Sequence, residues 1–506
     1  MTSAPLPDWL EPLPDADRMR ATDAWAIQEQ GVPSLDLMER AGAGLARLVA
    51  DRAPEGAVAM VCGKGNNGGD GLVAARILRE EDREVRVLLT GAADELRGDP
   101  AVNLERLPGD GPEPFSADGL AGAAAVVDAL LGTGFAGEPR DPVRSAIEAI
   151  NAHEAEVVAA DVPSGVDAST GVVVGAAVRA GATATFHAAK PGLWIAPGKL
   201  HAGEVRVIEI GIPAGAPSST DVGLIRPDVA ALIPRRVPGS TKFSEGAVLV
   251  VGGSAGLTGA PSLASEAAAR AGAGYVTAAV PRSLSLIFEL RLLEVMTRAL
   301  PDEDGAFTPG AVEPALHAAE RVDALVLGPG IGRTDDAQAF ARELAARAEL
   351  PLLLDADGLN AHAGALDALT DRPAPTVLTP HAGELGRLLE LPSADIERER
   401  LRHAREAAAA SGAVVVLKGD DSLVADPAGR VAVSPGGAPA LATAGTGDVL
   451  SGTVGALLAK GLPAFDAACA GVALHAEAGR RAAGVHGPDT VIASDVINAL
   501  RAARER

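Results

Sequence analysis

The sequence predicts an α/β protein of two domains, and three observations predict it. Its 506 residues exceed what one hydrophobic core usually holds, about 250 to 300 residues. Short β-branched runs alternate with longer Ala/Leu/Arg/Glu segments of helical period. The apolar runs end in Gly, Asp or Asn, as strands of a parallel sheet covered on both faces do, with chemistry at their carboxyl ends.

In order, the first half offers VAMVC at 58–62, VRVLLT at 85–90, AAVVDALLGTG from 124, EVVAADVPSG from 156 and VRVIEI at 205–210. After Ile210, Pro, Gly and Ser thicken and periodicity fades, which places a domain edge near 215–240. The second half restarts with AVLVVGGS at 247–254, YVTAAV at 275–280, ALVLGPG from 324, PLLLDADG from 351, TVLTPHAGE from 376 and AVVVLKGDD from 413. The halves share no motif in register, so residues 1–218 and 224–506 are expected to be unlike domains joined in one chain.

Composition narrows the partners. With 44 Lys+Arg against 67 Asp+Glu the net charge is −23, which repels nucleic acid unless a local basic patch exists, and none is legible. Small molecules are the expected partners. Cys62 and Cys469 are too few for a disulfide framework, so a reducing compartment is expected. The amino terminus places acids and prolines where a signal peptide needs basic and apolar runs, and no stretch of about 18 apolar residues occurs. A cytoplasmic location without membrane attachment is expected.

In the first half, CGKGNNGGDG at 62–71 joins a strand to an amphipathic helix. It contains G-x-G-x-x-G, but the following strand ends Leu88-Leu89-Thr90 without the acid a dinucleotide fingerprint wants. Asn66, Asn67 and Asp70 suit hydroxyls, an amide or a cation better than a bare pyrophosphate. Asp128 in VDALLG, Asp161 and Ser164 in DVPSGVD close two further strands, so Asn67, Asp128 and Ser164 fall at one sheet edge, where hard cations find oxygen ligands. Each aspartate alone is as readily a loop cap. Asp161 is left as an acid/base candidate. In the second half TAGTGDVLSG, Thr443 to Gly452, opens an apolar helix. Gly445, Thr446 and Gly447 free backbone amides to meet a transferring phosphoryl group, and Asp448 is placed to take a proton from an attacking hydroxyl. Lys418 to Ser422 form a strand-turn-strand suited to nucleotide phosphates, and TPHAGEL offers His381 and Glu384, either as ring and Mg²⁺ contacts or as a capped helix start. No P-loop motif occurs.

CGKGNNGGDG, DALLGTGFAGE, DVPSGVD and LMERAG resemble the NAD(P)H-hydrate epimerase family, which is Rossmann-like. The resemblance implies hydrate contacts at Asn66, Asn67, Gly68, Gly69, Asp70, Gly132, Thr133, Gly134, Phe135, Ala136, Gly137, Glu138 and Asp161. It also implies K⁺ at Asn67, Asp128 and Ser164, and Asp161 as the acid/base group at C6; HAAKPGLW, with His187 and Lys190, would close the site. GGSAGLTGAPSLASEAAARAGAGYVT, GPGIG, LLLDADGLN, TPHAGE, LKGDDS and AGTGD resemble the ADP-dependent NAD(P)H-hydrate dehydratase family, which has the ribokinase-like fold. That resemblance implies hydrate contacts at Ala260, Gly330, His381 and Asp448, nucleotide contacts at Lys418, Gly419, Asp420, Asp421, Ser422 and Gly447, and ADP with Mg²⁺. Phe243 stands where relatives often carry a small residue after Lys242.

The expectation is a bifunctional repair of hydrated NADH and NADPH: epimerisation of R and S hydrates, then ADP-driven dehydration of the S form to NAD(P)H, AMP and phosphate, in a homo-oligomer. Three alternatives stay open. They are a ribokinase-fold kinase for a vitamin precursor such as hydroxymethylpyrimidine, an NAD-dependent oxidoreductase in the first half, and a non-catalytic binding role for that half.

Overall fold

The computed structural model describes residues 6–216 and 219–504. Among the described residues it separates into two compact units, one of Leu6 with the chain from Pro12 to Gly223, the other of Pro7–Glu11 with the chain from Leu224 onward. No motif in PLPDWLEPLP advertises that short excursion.

The first unit is a seven-stranded sheet in the order Glu113–Pro114, Val85–Leu89, Ala57–Cys62, Ala123–Ala129, Glu156–Ala160, Ala182–Phe186, Glu204–Ile208. Every pair is parallel. Alternation along the strands feeds two cores: Met60 and Val127 face Leu45, Leu72 and Leu78, while Ala59, Val61 and Val126 face Ile147 and Ile150. Helices Ser34–Arg52 and Asn66–Glu80 supply the first face, and Val143–Ala152 the second. The strand order reverses between Ala57–Cys62 and Ala123–Ala129. Crossovers diverge there, leaving a crevice beyond the carboxyl ends of those two strands, where sheets of this class bind ligands.

The second unit has an eleven-stranded sheet in the order Leu10–Pro12, Val222–Ile225, Val431–Val433, Leu423–Ala425, Val414–Leu417, Thr376–Leu378, Leu352–Leu354, Ala324–Leu327, Ala247–Val251, Tyr275–Pro281, Met296–Leu300. From Val414–Leu417 to Met296–Leu300 neighbours run parallel. The expected all-parallel pattern fails at Leu423–Ala425 and Val431–Val433, which are antiparallel additions. The connection at 418–422 is too short for a crossover, so the chain must turn straight back. The helix Thr446–Ala459 is buried along nearly all its length. Glycine makes that possible: a Cβ on Gly452 would lie 1.9 Å from the Ala264 carbonyl, and one on Gly455 2.3 Å from Val326. Helix Gly259–Ala271 and the sheet therefore grip this central helix along its middle turns. Among the described residues, no helix is long and apolar enough to cross a membrane.

Candidate active sites

At the switch point of the first unit lies a cavity of about 870 Å³. Its floor is the loop Gly63 to Asn67 with Asp70, its wall Leu130 to Phe135, and Asp161 and Lys190 close it. The two loops touch because residue 63 has no side chain, since a Cβ there would sit 2.1 Å from the Leu130 carbonyl. Gly68 and Gly69 lie behind the floor, where a Cβ on Gly68 would meet the Gly63 carbonyl at 1.9 Å. Gly68→Ala is accordingly expected to lower stability by about 1–3 kcal/mol, the usual penalty of overpacking, read as a lower Tm. Ala136, Gly137 and Glu138 are exposed and outside the cavity wall, and the half-buried His187 also lies outside it.

Asp161 adopts φ +66° at the end of its strand. Its Oδ2 accepts from the Thr133 amide at 2.8 Å and the Thr133 hydroxyl at 2.5 Å, and its Oδ1 accepts from Lys190 Nζ at 2.7 Å. The ammonium is itself buried, only 1% exposed, and donates also to the Thr185 hydroxyl and the Phe186 carbonyl. Burial alone would raise the Asp161 pKa; the Lys190 charge and the Lys190 and Thr133 hydrogen bonds outweigh it and hold the carboxyl below its ordinary range. Neighbouring acids go the other way. Burial, followed by the negative charges of Asp161 and Asp23, pushes Asp70 well up, and burial lifts Asp23 to about 6. The cavity thus holds carboxyls whose proton affinities are pushed apart, Asp161 downwards and Asp70 and Asp23 upwards, the separation that acid–base chemistry uses. Asp23 carries no sequence signal, and for Lys190 the sequence resemblance implies only a closing loop.

Deeper in the same unit, Ser164 donates its hydroxyl to Asp128 Oδ1 at 2.6 Å and its amide to Oδ2 at 2.8 Å, and its hydroxyl accepts from the Leu131 amide at 2.9 Å. Asn67 donates to the Leu131 carbonyl at 2.9 Å. Its Oδ1 is buried without a hydrogen-bond partner. Burial raises Asp128 to about 6.

In the second unit, Gly445 caps the central helix at φ +90°, and Asp448 stands in the first turn. Burial, then repulsion from Asp355, lifts Asp448 to about 7 against the opposing charge of Lys418. Lys418 Nζ lies 3.0 Å from Asp355 and 3.5 Å from Glu384. Asp355 is further held by the Thr379 and Ser451 hydroxyls at 2.9 and 2.7 Å. A Cβ on Gly447 would come within 3.6 Å of Lys418 Nζ, which puts these two residues side by side. Ala260 and Gly330 also adjoin, with 3.5 Å between the Ala260 Cβ and a Cβ built on Gly330.

His381 caps its helix. Nδ1 accepts from the Gly383 and Glu384 amides, and Glu384 accepts from the His381 amide. The neutral ring therefore carries its proton on Nε2, and the half-exposed imidazole retains a face and a donor. Asp421 is turned inward, 3.0 Å from the buried Arg400 guanidinium, while Asp420 accepts from the Gly437 amide and Ser422 closes the turn onto Gly419. These three residues shape the loop, and it is the Lys418 charge that is felt at the Asp448 carboxyl. Asp355 orients Lys418; the sequence motif LLLDADGLN contains it, but nothing in that motif assigns it a role in the site. Lys242 lies 5.1 Å from the Phe243 ring and 5.2 Å from the Tyr275 ring, a cation–π arrangement.

A charged cavity at a parallel-sheet switch point, and a glycine-capped acidic helix start in a second α/β unit, define an enzyme with two small-molecule centres. The family model of NAD(P)H-hydrate dehydratases matches residues 248–501, and that of the YjeF-related protein N-terminus matches residues 34–192. The bifunctional NAD(P)H-hydrate repair enzyme of Salinibacter ruber is 41% identical, over 98% of this chain and 96% of its own. That of Moorella thermoacetica is 40% identical over 96% of each. An ADP/ATP-dependent NAD(P)H-hydrate dehydratase structure from Bacillus subtilis is 28% identical over 54% of this chain and 94% of its own, with a TM-score of 0.47. The chain belongs to the bifunctional NAD(P)H-hydrate repair enzyme family.

Proposed function

We propose that the first unit interconverts the R and S hydrates of NADH and NADPH, and that the second dehydrates the S hydrate at the expense of ADP. The observation that carries the reading is the opposed tuning of acids: Asp161 held ionised by Lys190, and Asp448 lifted to about 7 at a helix amino end.

C6 of the hydrate bears both a hydroxyl and the ring nitrogen. A protonated acid, Asp70, donates to the hydroxyl; water leaves as the nitrogen lone pair forms an iminium, and water returns from either face. Asp161 receives the proton of the returning water on Oδ1, which accepts one hydrogen bond, from Lys190, where Oδ2 accepts two, and exchange with solvent restores the proton of Asp70 for the next turnover. Asn67 Oδ1, the Asp128 carboxylate and Ser164 would hold K⁺. An orphaned amide oxygen and a buried carboxylate at the ends of neighbouring strands fit a hard cation, which would supply fixed positive charge there. Asn67→Ala is expected to raise several-fold the K⁺ concentration that half-saturates epimerisation, measured by titration with K⁺ against a Na⁺ background.

In the second centre Asp448 takes the C6 hydroxyl proton and the oxygen attacks the β-phosphorus of ADP, with AMP leaving. Backbone amides at Gly445 to Gly447 and the helix dipole meet the transferred charge. The nitrogen lone pair then expels phosphate, and loss of the C5 proton restores the 5,6 double bond. Mg²⁺ would arrive on the nucleotide: among the described residues no three His, Cys, Asp or Glu side chains gather to hold a metal, and Glu384 is the carboxylate to reach it through water. Asp161, Asp448 and Lys418 are the proposed principal residues; the exposed Ala136, Gly137 and Glu138 contribute only if their loop folds over a bound hydrate.

The test is purified protein with mixed R and S hydrates, K⁺, Mg²⁺ and ADP or ATP, followed by reduced-nicotinamide absorbance and by AMP. Full recovery with one AMP or ADP per hydrate supports the reading. A stable phosphorylated product without recovered absorbance would establish the kinase alternative.

A further inference from the structure

The second unit holds a chain of side chains that the dehydration steps leave unused. Ala356, at φ +50°, separates two aspartates beyond strand Leu352–Leu354. An alanine keeps that conformation only where its surroundings enforce it. The two carboxylates go to different partners: Asp355 meets Lys418 at 3.0 Å, while Asp357 accepts from the Gly332 amide at 3.1 Å and from Arg333 Nε at 3.0 Å. Asn360 donates to the oxygen of Asp357 that Arg333 uses, at 3.1 Å, and accepts from Arg387 Nε at 2.8 Å. One aspartate and one asparagine therefore hold two arginines from separate segments.

Arginine–carboxylate pairs are frequently bidentate, engaging two nitrogens at once. Here both arginines are anchored through Nε alone. Among the described residues the terminal nitrogens of Arg333 and Arg387 have no hydrogen-bond partner, and both side chains are exposed. Asp357 offsets one of the two positive charges, but the fork ends of both remain available as donors. Their place is the border of the Asp448 centre. Arg333 directly follows the loop 328–332, in which Gly330 adjoins Ala260. Arg387 lies one turn beyond Gly383 on helix Ala382–Leu389. A Cβ on Gly383 would sit 2.9 Å from His381 Cε1 and 3.9 Å from Arg387 Nη1, so the imidazole and the guanidinium flank the space that glycine leaves open. The Asp357 charge is felt at Asp448 and the Arg387 charge at His381.

A dinucleotide hydrate whose C6 hydroxyl reaches Asp448 carries a diphosphate one ribose away from its nicotinamide ring. Lys418 is already met by Asp355 and Glu384, so that anionic bridge needs donors at the border of the centre. Guanidinium forks match phosphate oxygens. We propose that Arg333 and Arg387 grip the diphosphate bridge of the hydrated dinucleotide, with Asp357 and Asn360 positioning them. This deepens the dehydration reading and rests on it. The adenosine 2′-position lies a further ribose away, so the pair is expected to serve the hydrates of NADH and NADPH alike.

Dehydration kinetics of the full chain with two S hydrates test this: that of NADH, and that of reduced nicotinamide riboside, which keeps the ring and has no phosphate. In Arg333→Ala/Arg387→Ala, KM for the NADH hydrate is expected to rise at least tenfold, and the preference for it over the riboside hydrate, read as the ratio of kcat/KM values, to fall by the same factor. Arg333→Gln/Arg387→Gln, which keeps side-chain length, guards against a folding defect and is expected to match the alanine pair. Asn360→Ala is expected to lower the ratio in the same direction. An equal loss on both substrates overturns the proposal, because a displaced loop or a folding defect acts on either. So does a rise in KM for ADP with the ratio kept, which would give the arginines to the nucleotide, or a loss confined to the hydrate of NADPH, which would give them to its 2′-phosphate. Wild-type protein that dehydrates neither substrate fails the dehydration reading and this proposal with it; wild-type activity with an unmoved ratio in both arginine pairs fails this proposal alone.

Discussion

Asp448→Asn is expected to abolish recovery of reduced nicotinamide from the S hydrate while leaving interconversion of the hydrates intact. The substitution keeps the shape of the helix start and removes only the proton acceptor, a loss worth about 10²–10⁴ in rate for a general base. Because the Asp448 pKa is raised to about 7, the wild-type kcat/KM is expected to climb with pH through that value and level above it. The sign is fixed by mechanism, since the ionised form takes the proton and protonation below about 7 removes it. Lys418→Met should shift this limb upward, because Lys418 is the charge opposing the rise. Initial rates at saturating ADP between acid and mildly alkaline pH check both statements. A profile flat across the range would remove Asp448 from the chemistry.

Asp161→Asn is expected to stop dehydration of a mixed hydrate pool once the S fraction is consumed, and to destabilise the first unit. The variant leaves Lys190, 1% exposed, charged and without its carboxylate. Breaking a buried ion pair from one side costs about 3–5 kcal/mol, far more than a surface pair returns. A double substitution, Asp161→Asn with Lys190→Met, should regain much of that stability and none of the epimerisation, which separates fold from function. The pH dependence has a definite sign. The Asp161 carboxyl sits lower in the folded chain than in the unfolded one, so its contribution is complete above about pH 4 and is lost as pH falls through the folded value. Denaturant titration at neutral and acid pH measures it.

Much of both centres was legible in the chain. CGKGNNGGDG and DVPSGVD could be placed at one sheet edge because parallel strands put their carboxyl ends together, and the strand order then made that edge a crevice. TAGTGD announced a helix start by its glycines. Residues that act through burial left no trace. Asp23 belongs to a helix with charged residues on every side, and only folding brings it to the cavity. The strand Ala182–Phe186 alternates alanine with threonine and looks half-exposed, whereas Thr183 and Thr185 are fully buried. Their hydroxyls are satisfied by the Ala202 carbonyl and by Lys190, so polar residues stand where a hydrophobic pattern was sought.

The central claim is that phosphoryl transfer turns the C6 hydroxyl into a leaving group. An S hydrate bearing ¹⁸O at that hydroxyl, turned over with ADP, tests it in one measurement by mass spectrometry of the products. The account predicts the label in inorganic phosphate. Label recovered in water, with phosphate unlabelled, would contradict it.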